Sequence, residues 1–311
     1  MNFDNTFSVI LAITPLALGI VWKFSNGSSN TLKSIGLTVI GALAGGLVYM
    51  RSAFEIEPSI LFLASAVLLS GFCVILCQED KQQTSAIYAS IMIILGLGLG
   101  ILLNQAIVSR IFLGGLLGYI AISQNREQQN SFRTKIIFLH ITLAIIFSLG
   151  SVFMSNTLQI FASLFLAVTF LPLAPFHLPF LGTIKGAKVT LASFWIVVWL
   201  IIGLSELNKL YSSLSTEMLF TLNLLALVSA LYASLAALGQ KFNRLFIASA
   251  TVAHVALIWG LLQVFPSFPK WGIPFGITLG FVMGGISLAF SFIRQRYGWK
   301  TLGILPGLAS P

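Results

Sequence analysis

Eleven predominantly apolar stretches, each about the length of a membrane span, follow one another along this chain: 6–23, 32–50, 59–77, 85–104, 107–124, 136–154, 157–178, 186–205, 217–238, 243–264 and 273–293. A hydrocarbon core of about 30 Å takes roughly 20 residues of α-helix. Inside lipid every backbone N–H and C=O must find a partner within the chain, so spans of this length are helices. The pattern therefore predicts an all-α polytopic membrane protein with about eleven transmembrane helices. Composition agrees. Apolar residues make up 57% of the chain and charged residues 8%, too few charges to cover a soluble domain of this size. No loop is long enough to fold by itself, so residues 1–311 read as a single membrane domain. The first stretch lacks a basic n-region, follows Asp4, and meets Lys23 without a small-residue cleavage site. It reads as a first span and not as a signal peptide.

Basic residues set the orientation. With the N-terminus outside and the C-terminus inside, the inner loops hold Lys23, Lys33, Lys81, Arg126, Arg133, Lys135, Lys185, Lys188, Lys241, Arg244, Arg294, Arg296 and Lys300. The outer loops hold Arg51, Lys209 and Lys270, and Arg110, near the outer end of the fifth span, stays unassigned. One missed or invented span would scramble this asymmetry. Topology thus accounts for the net charge of +9, and no nucleic-acid partner is needed to explain it.

The acids are distributed differently. Asp4, Glu55, Glu57, Glu79, Asp80, Glu127, Glu206 and Glu217 all fall at or near the ends of apolar stretches, where water or headgroups would solvate them. On this reading no carboxylate lies at membrane depth, where proton relays usually keep one. Cys73 and Cys77 are one turn apart on a single helix, a spacing that does not allow ordinary disulfide geometry. No second pair or nearby histidine makes them a metal site. Glycines cluster at Gly41, Gly45 and Gly46 and at Gly96, Gly98 and Gly100, and are expected to form seams where helices approach closely.

One segment breaks the regularity. Pro172, Pro175 and Pro179 fall within Leu171–Phe180, and each removes a backbone donor and clashes with the preceding turn. A helix is broken or ended near 171–180. Either it stops there plainly, or it is an interrupted helix of the kind that places unpaired backbone at an ion path.

Two local patterns carry a resemblance. Ala174-Pro175-Phe176-His177 resembles the turn of the antiporter-like membrane subunits of respiratory complex I, the type-I NADH dehydrogenase. In Leu238–His254, Gln240, Arg244, Ala248 and His254 stand in register with that family's next motif, and Leu302–Pro311 is similar to a third, more weakly. The branch it most resembles is NADH dehydrogenase subunit 2, called subunit N in bacteria. The likeness covers residues 105–311, whereas 1–104 match only in having several spans. Relative to the family the chain reads as C-terminally shortened.

The resemblance implies a relay of one glutamate and two lysines, and this chain lacks all three. Leu117 stands at the family's glutamate in the fifth helix, Phe170 at the first lysine and Leu200 at the second. A buried acid–base pair holds and passes a proton because each partner shifts the other's pKa, and leucine and phenylalanine cannot. The titratable groups left near membrane depth are histidines. His254, about midway along the tenth span, is the candidate carrier of a residual path, against the alternative of a neutral histidine bonded to a neighbouring helix. His140 lies one turn inside the sixth span, and His177 is placed to cap or brace the proline turn. Lys185, Lys188, Lys241 and Arg244 read as inside-facing anchors. No catalytic residue and no metal site are expected.

The resemblance thus implies a membrane-arm subunit of a proton-translocating oxidoreductase that takes electrons from NADH or a similar donor and delivers them to quinone. The implied role is structural, or that of a degenerate channel. Its partners would be other membrane-arm subunits and lipids. FMN, Fe–S clusters and quinone would belong to the parent complex, and none would bind this chain. The implied location is an energy-transducing membrane, the mitochondrial inner membrane first and the bacterial plasma or thylakoid membrane as alternatives. The rival readings are a subunit of an independent cation/proton antiporter and an unrelated membrane transporter.

Overall fold

A computed structural model describes residues 3–25, 27–54, 56–78, 84–125, 132–188, 190–265 and 267–297, giving only the backbone at 3–5, 54, 84, 106, 125, 132, 133, 295 and 297. Glu55, Glu79, Asp80, Lys81, Arg126, Glu127, Lys300 and the weak motif at 302–311 lie outside the described residues. The described residues form twelve α-helices and one 3-10 turn: α1 Phe3–Phe24, α2 Ser29–Phe54, α3 Pro58–Leu76, α4 Thr84–Leu103, α5 Ala106–Asn125, α6 Phe132–Gly150, α7 Asn156–Phe170, α8 Leu178–Gly186, α9 Leu191–Leu210, the turn Tyr211–Ser213, α10 Thr216–Leu238, α11 Asn243–Leu261 and α12 Phe268–Tyr297. No strand occurs among them.

Each of the eleven apolar stretches holds a helix; the seventh ends at Phe170 before the prolines, and a short extra helix, α8, follows between the seventh and eighth stretches. Among the described residues nine helices are long and apolar enough to cross a membrane, and Thr134–Gly150 and Asn156–Phe170 are shorter apolar helices. The eighth stretch, 186–205, has the right length but lies five residues too early. Its helix runs from Leu191 to Leu210, which puts Glu206 inside it. The twelfth helix begins at Phe268, with Pro274 inside it.

Helix α9 is the axis of the bundle. Of its twenty residues only Asn208 and Lys209 are not buried, and α3, α4, α7, α8 and α12 all pack on it. A helix apolar on all sides with a weak amphipathic pattern is the type expected at the centre. Helix α1 lies against α4, where a Cβ at Gly96 would come within 2.7 Å of the Ala12 carbonyl and one at Gly19 within 2.8 Å of the Ala89 carbonyl. Gly96 is thus a seam, as expected. Gly41 and Gly45 are not, for among the described residues no neighbouring element comes within 4 Å of a Cβ at either. They face away from the bundle.

Candidate functional site

Where α7 stops, the chain must find partners for carbonyls that a continuing helix would have bonded. Three helices supply them. The indole N–H of Trp199 on α9 donates to the Thr169 carbonyl at 2.9 Å, and that of Trp259 on α11 to the Leu171 carbonyl at 3.0 Å. The Ala174 amide donates to Ser229 Oγ on α10 at 2.9 Å. Pro179 then opens α8 in its first turn, where a missing N–H costs little. The Ala174–Pro175 peptide is cis. Closeness makes this bonding possible: a Cβ at Gly203 would sit 2.7 Å from the Phe170 carbonyl carbon and 2.8 Å from the Leu171 nitrogen. The break is an interrupted helix whose open backbone is answered by aromatic side chains.

The three positions of the implied relay lie in this packed core. Leu117 on α5, Phe170 at the end of α7 and Leu200 on α9 are each 0% exposed. Beside Phe170, Trp199 is the hub, with ring centroids 5.2 Å from Phe170, 5.6 Å from Phe180 and 6.1 Å from Trp195. Walls of this kind stay dry, since a buried water needs two to four polar partners.

The side of this plug towards the start of α9 is different. A cavity of about 420 Å³ opens between α1, α4, α5, α8 and α9, with Lys23 and Lys188 among its walls. Its lining mixes apolar side chains with hydrogen-bonded polar ones. Tyr119 donates to Ser90 Oγ at 2.9 Å, and Gln124 donates to Thr183 Oγ1 at 2.8 Å and to the Pro179 carbonyl at 3.3 Å. Tyr119 is stacked on Trp195, at 6.3 Å and 29°, and both line the cavity. Trp195 in turn packs on Trp199. The cavity therefore ends against the aromatic plug.

Towards the other end lies a buried ion cluster that corrects the reading of the acids. Glu206 is 0% exposed, so a carboxylate is present within the embedded helices and water does not solvate it. Its Oε2 pairs with Arg110 Nη1, and its Oε1 with Lys209 Nζ at 3.0 Å. Arg110 Nη2 also donates to Ser163 Oγ at 3.4 Å, and Ser148 Oγ donates to the Arg110 carbonyl at 3.0 Å. The cluster thereby ties α5, α6, α7 and α9. Arg110 and Ser163 stand seven residues before Leu117 and Phe170 on their respective helices, on the same faces and about 10 Å away at 1.5 Å per residue. Charge sits near the relay faces, two turns off the relay positions. The sequence signal was the one basic residue that the loop count could not place.

The remaining candidates scatter. His254 is exposed, with Nδ1 bonded at 2.7 Å to the Ala250 carbonyl of its own helix and not to a neighbouring one. His140 is half-buried and turned inward, its Nε2 2.8 Å from Thr169 Oγ1 and its ring 4.9 Å from Phe165. It thus touches the end of α7 opposite Trp199. His177 is buried beside Tyr232, ring centroids 5.3 Å apart. It is the residue before α8, and its side chain makes no cap bond there. Lys185, Lys188 and Lys241 are exposed, whereas Arg244 closes the end of α8 by donating to the Ala187 carbonyl at 2.6 Å. Cys73 and Cys77 are free thiols. Among the described residues no three His, Cys, Asp or Glu side chains group as metal ligands would.

A many-helix membrane bundle with one proline-broken helix answered by aromatics defines the class. No family model matches the chain, and no curated protein does. Solved structures do. A chain of respiratory complex I from Thermus thermophilus with bound NADH is similar over 97% of this chain and 74% of its own length, at a TM-score of 0.75 and 15% identity. A chain of the Mrp complex from Dietzia sp. DQ12-45-1b matches at 0.77 and 11% identity, over 94% of this chain and 38% of its own length. A chain of the membrane-bound sulfane sulfur reductase, an archaeal respiratory membrane complex, matches at 0.77 and 13% identity, over 94% and 57%. Identities this low establish the fold. This chain is an integral multi-pass membrane protein with the fold of membrane subunits that belong to multi-subunit complexes.

Proposed function

We propose that this chain is a membrane-arm subunit of a proton-translocating NADH (or related donor):quinone oxidoreductase, of the subunit 2 type, and that its role there is structural. The observation that carries the reading is the core itself. Leu117, Phe170 and Leu200 are fully buried among apolar and aromatic side chains, so the positions where a relay would hold charge offer neither a proton site nor a wetted path. NADH, FMN, Fe–S clusters and quinone are the business of other chains in this reading. The membrane is an energy-transducing one, the mitochondrial inner membrane first. Native-gel separation of solubilised membranes with mass spectrometry of each band tests it. The chain should run in a large NADH-oxidising or quinone-reducing assembly, and finding it only in small bands without such activity would sink the proposal.

A second reading, a subunit of a cation/proton antiporter, is favoured by the likeness to the Mrp complex and by the buried Glu206 pair. It expects the chain to support cation-driven proton movement in everted vesicles. Unchanged ΔpH on adding Na⁺ or K⁺ would count against it.

A further inference from the structure

A second cavity, of about 280 Å³, opens where the ends of α8, α11 and α12 meet, and Lys185, Arg244 and Arg294 converge on it from those three helices. Among the described residues no acid lines it. The side chains of Lys185 and Arg294 have no hydrogen-bond or ion-pair partner among the described residues. The cavity also receives the N-terminus of α11, because Phe242, Asn243, Arg244 and Leu245 line it and Phe242 makes no side-chain cap bond. A helix N-terminus offers free amide donors and the positive end of the dipole. Lys185 and Arg294, set beside an uncapped helix start at the edge of a membrane protein, call for an anion that the described residues do not provide.

The rest of the lining indicates the source of that anion. Ser287 and Ser291 lie one turn apart on α12, Ser291 Oγ donating to the Leu288 carbonyl at 2.6 Å, while Phe242, Leu245, Ile247 and Phe290 form an apolar wall running along the helices. A free anion has no use for that wall, whereas a phospholipid does. Basic pockets between transmembrane helices on the inner side suit anionic headgroups. We infer that this cavity binds the phosphate of one anionic phospholipid, with Lys185, Arg294 and the α11 N-terminus on the headgroup and the apolar wall along its acyl chains. Arg244, already bonded to the Lys185 and Ala187 carbonyls, holds α8 and α11 in register around it.

Native mass spectrometry of the full chain in a non-ionic detergent tests the site. The wild-type protein, titrated with phosphatidylglycerol and separately with phosphatidylcholine, should retain one phosphatidylglycerol with about tenfold preference or more. The pair Lys185→Gln and Arg294→Gln should lose that preference, and Lys185→Arg with Arg294→Lys should keep it. Equal retention of both lipids by the wild type, or undiminished preference in the Gln pair, overturns the inference. Inorganic phosphate is the third arm: if it removes the retained lipid at millimolar concentration, the site takes a free anion and the lipid assignment is wrong. Should the Gln pair fail to fold, the wild-type comparison alone decides.

Discussion

Trp199 Nε1 donates to the carbonyl of Thr169 at 2.9 Å, across the contact between α9 and α7. The same indole packs against Phe170 and Phe180. One side chain thus satisfies the broken helix and fills the space beside it, tasks that water could perform only if the core were wet. Trp199→Phe keeps a ring and removes the donor. Leaving a buried carbonyl unpaired costs about 1–3 kcal/mol, so thermal unfolding in detergent should drop measurably, and Trp199→Ala should cost more, about 3–5 kcal/mol. A Phe variant as stable as the wild type would mean that water already reaches the Thr169 carbonyl.

Gly203 should be as intolerant as Trp199. A Cβ there meets the Phe170 and Leu171 backbone at 2.7 and 2.8 Å as well as Leu171 Cγ at 2.6 Å, and because backbone cannot swing aside, α7 and α9 would have to separate. Overpacking of this kind costs about 1–3 kcal/mol. Gly203→Ala should lower the unfolding temperature, while Gly45→Ala, at an open position, should not. Equal tolerance at both sites in the same assay would refute the close approach.

Arg110 and Glu206 should behave as a unit. Removing one partner strands a buried charge and costs about 3–5 kcal/mol, whereas apolar replacement of a whole buried pair is often near neutral. Glu206→Leu leaves Arg110 buried without its carboxylate, with only Ser163 to accept from it. Arg110→Met with Glu206→Leu removes both charges and leaves the half-exposed Lys209 to water. The double variant should be more stable than either single one. Strictly additive losses would show that the two side chains do not share their energy.

Legibility in the sequence followed what periodicity can and cannot carry. Apolar length alone located the helices, and three prolines located the break, because both act through local backbone physics. What closes the break was hidden, since Trp199 and Trp259 are 30 and 88 residues from the carbonyls they bond. Glu206 was misjudged for a related reason. It ends an apolar run, so it reads as solvated, and its burial depends on Arg110, 96 residues away. Gly41 and Gly45 looked like a seam because small residues permit close packing, but spacing does not say whether a neighbour is there.

The orientation of the bundle rests on charge counting and can be checked directly. Ser28, between α1 and α2, and Ser155, just before α7, are both exposed. In a background with Cys73 and Cys77 replaced by serine, single cysteines at these positions should react with an impermeant maleimide from opposite faces, Ser28→Cys from inside and Ser155→Cys from outside. Labelling from one face would overturn the span count, and reversed labelling would overturn the orientation.

His254 gives the sharpest test of the proposed role. It was the best titratable candidate for a residual path, yet its ring lies on the outer face of α11, bonded to its own helix, while the cavities and the Trp199 plug are lined by other residues. A proton passing through the bundle would not meet it. In the intact complex, His254→Phe should therefore leave the number of protons moved per electron pair unchanged. Any defect should appear as weaker assembly, because an exposed residue on this face meets lipid or a neighbouring subunit. A ratio lowered by one channel's share, in a complex that assembles normally, would place a working path along the outside of α11 and end the reading of this chain as a closed, structural subunit.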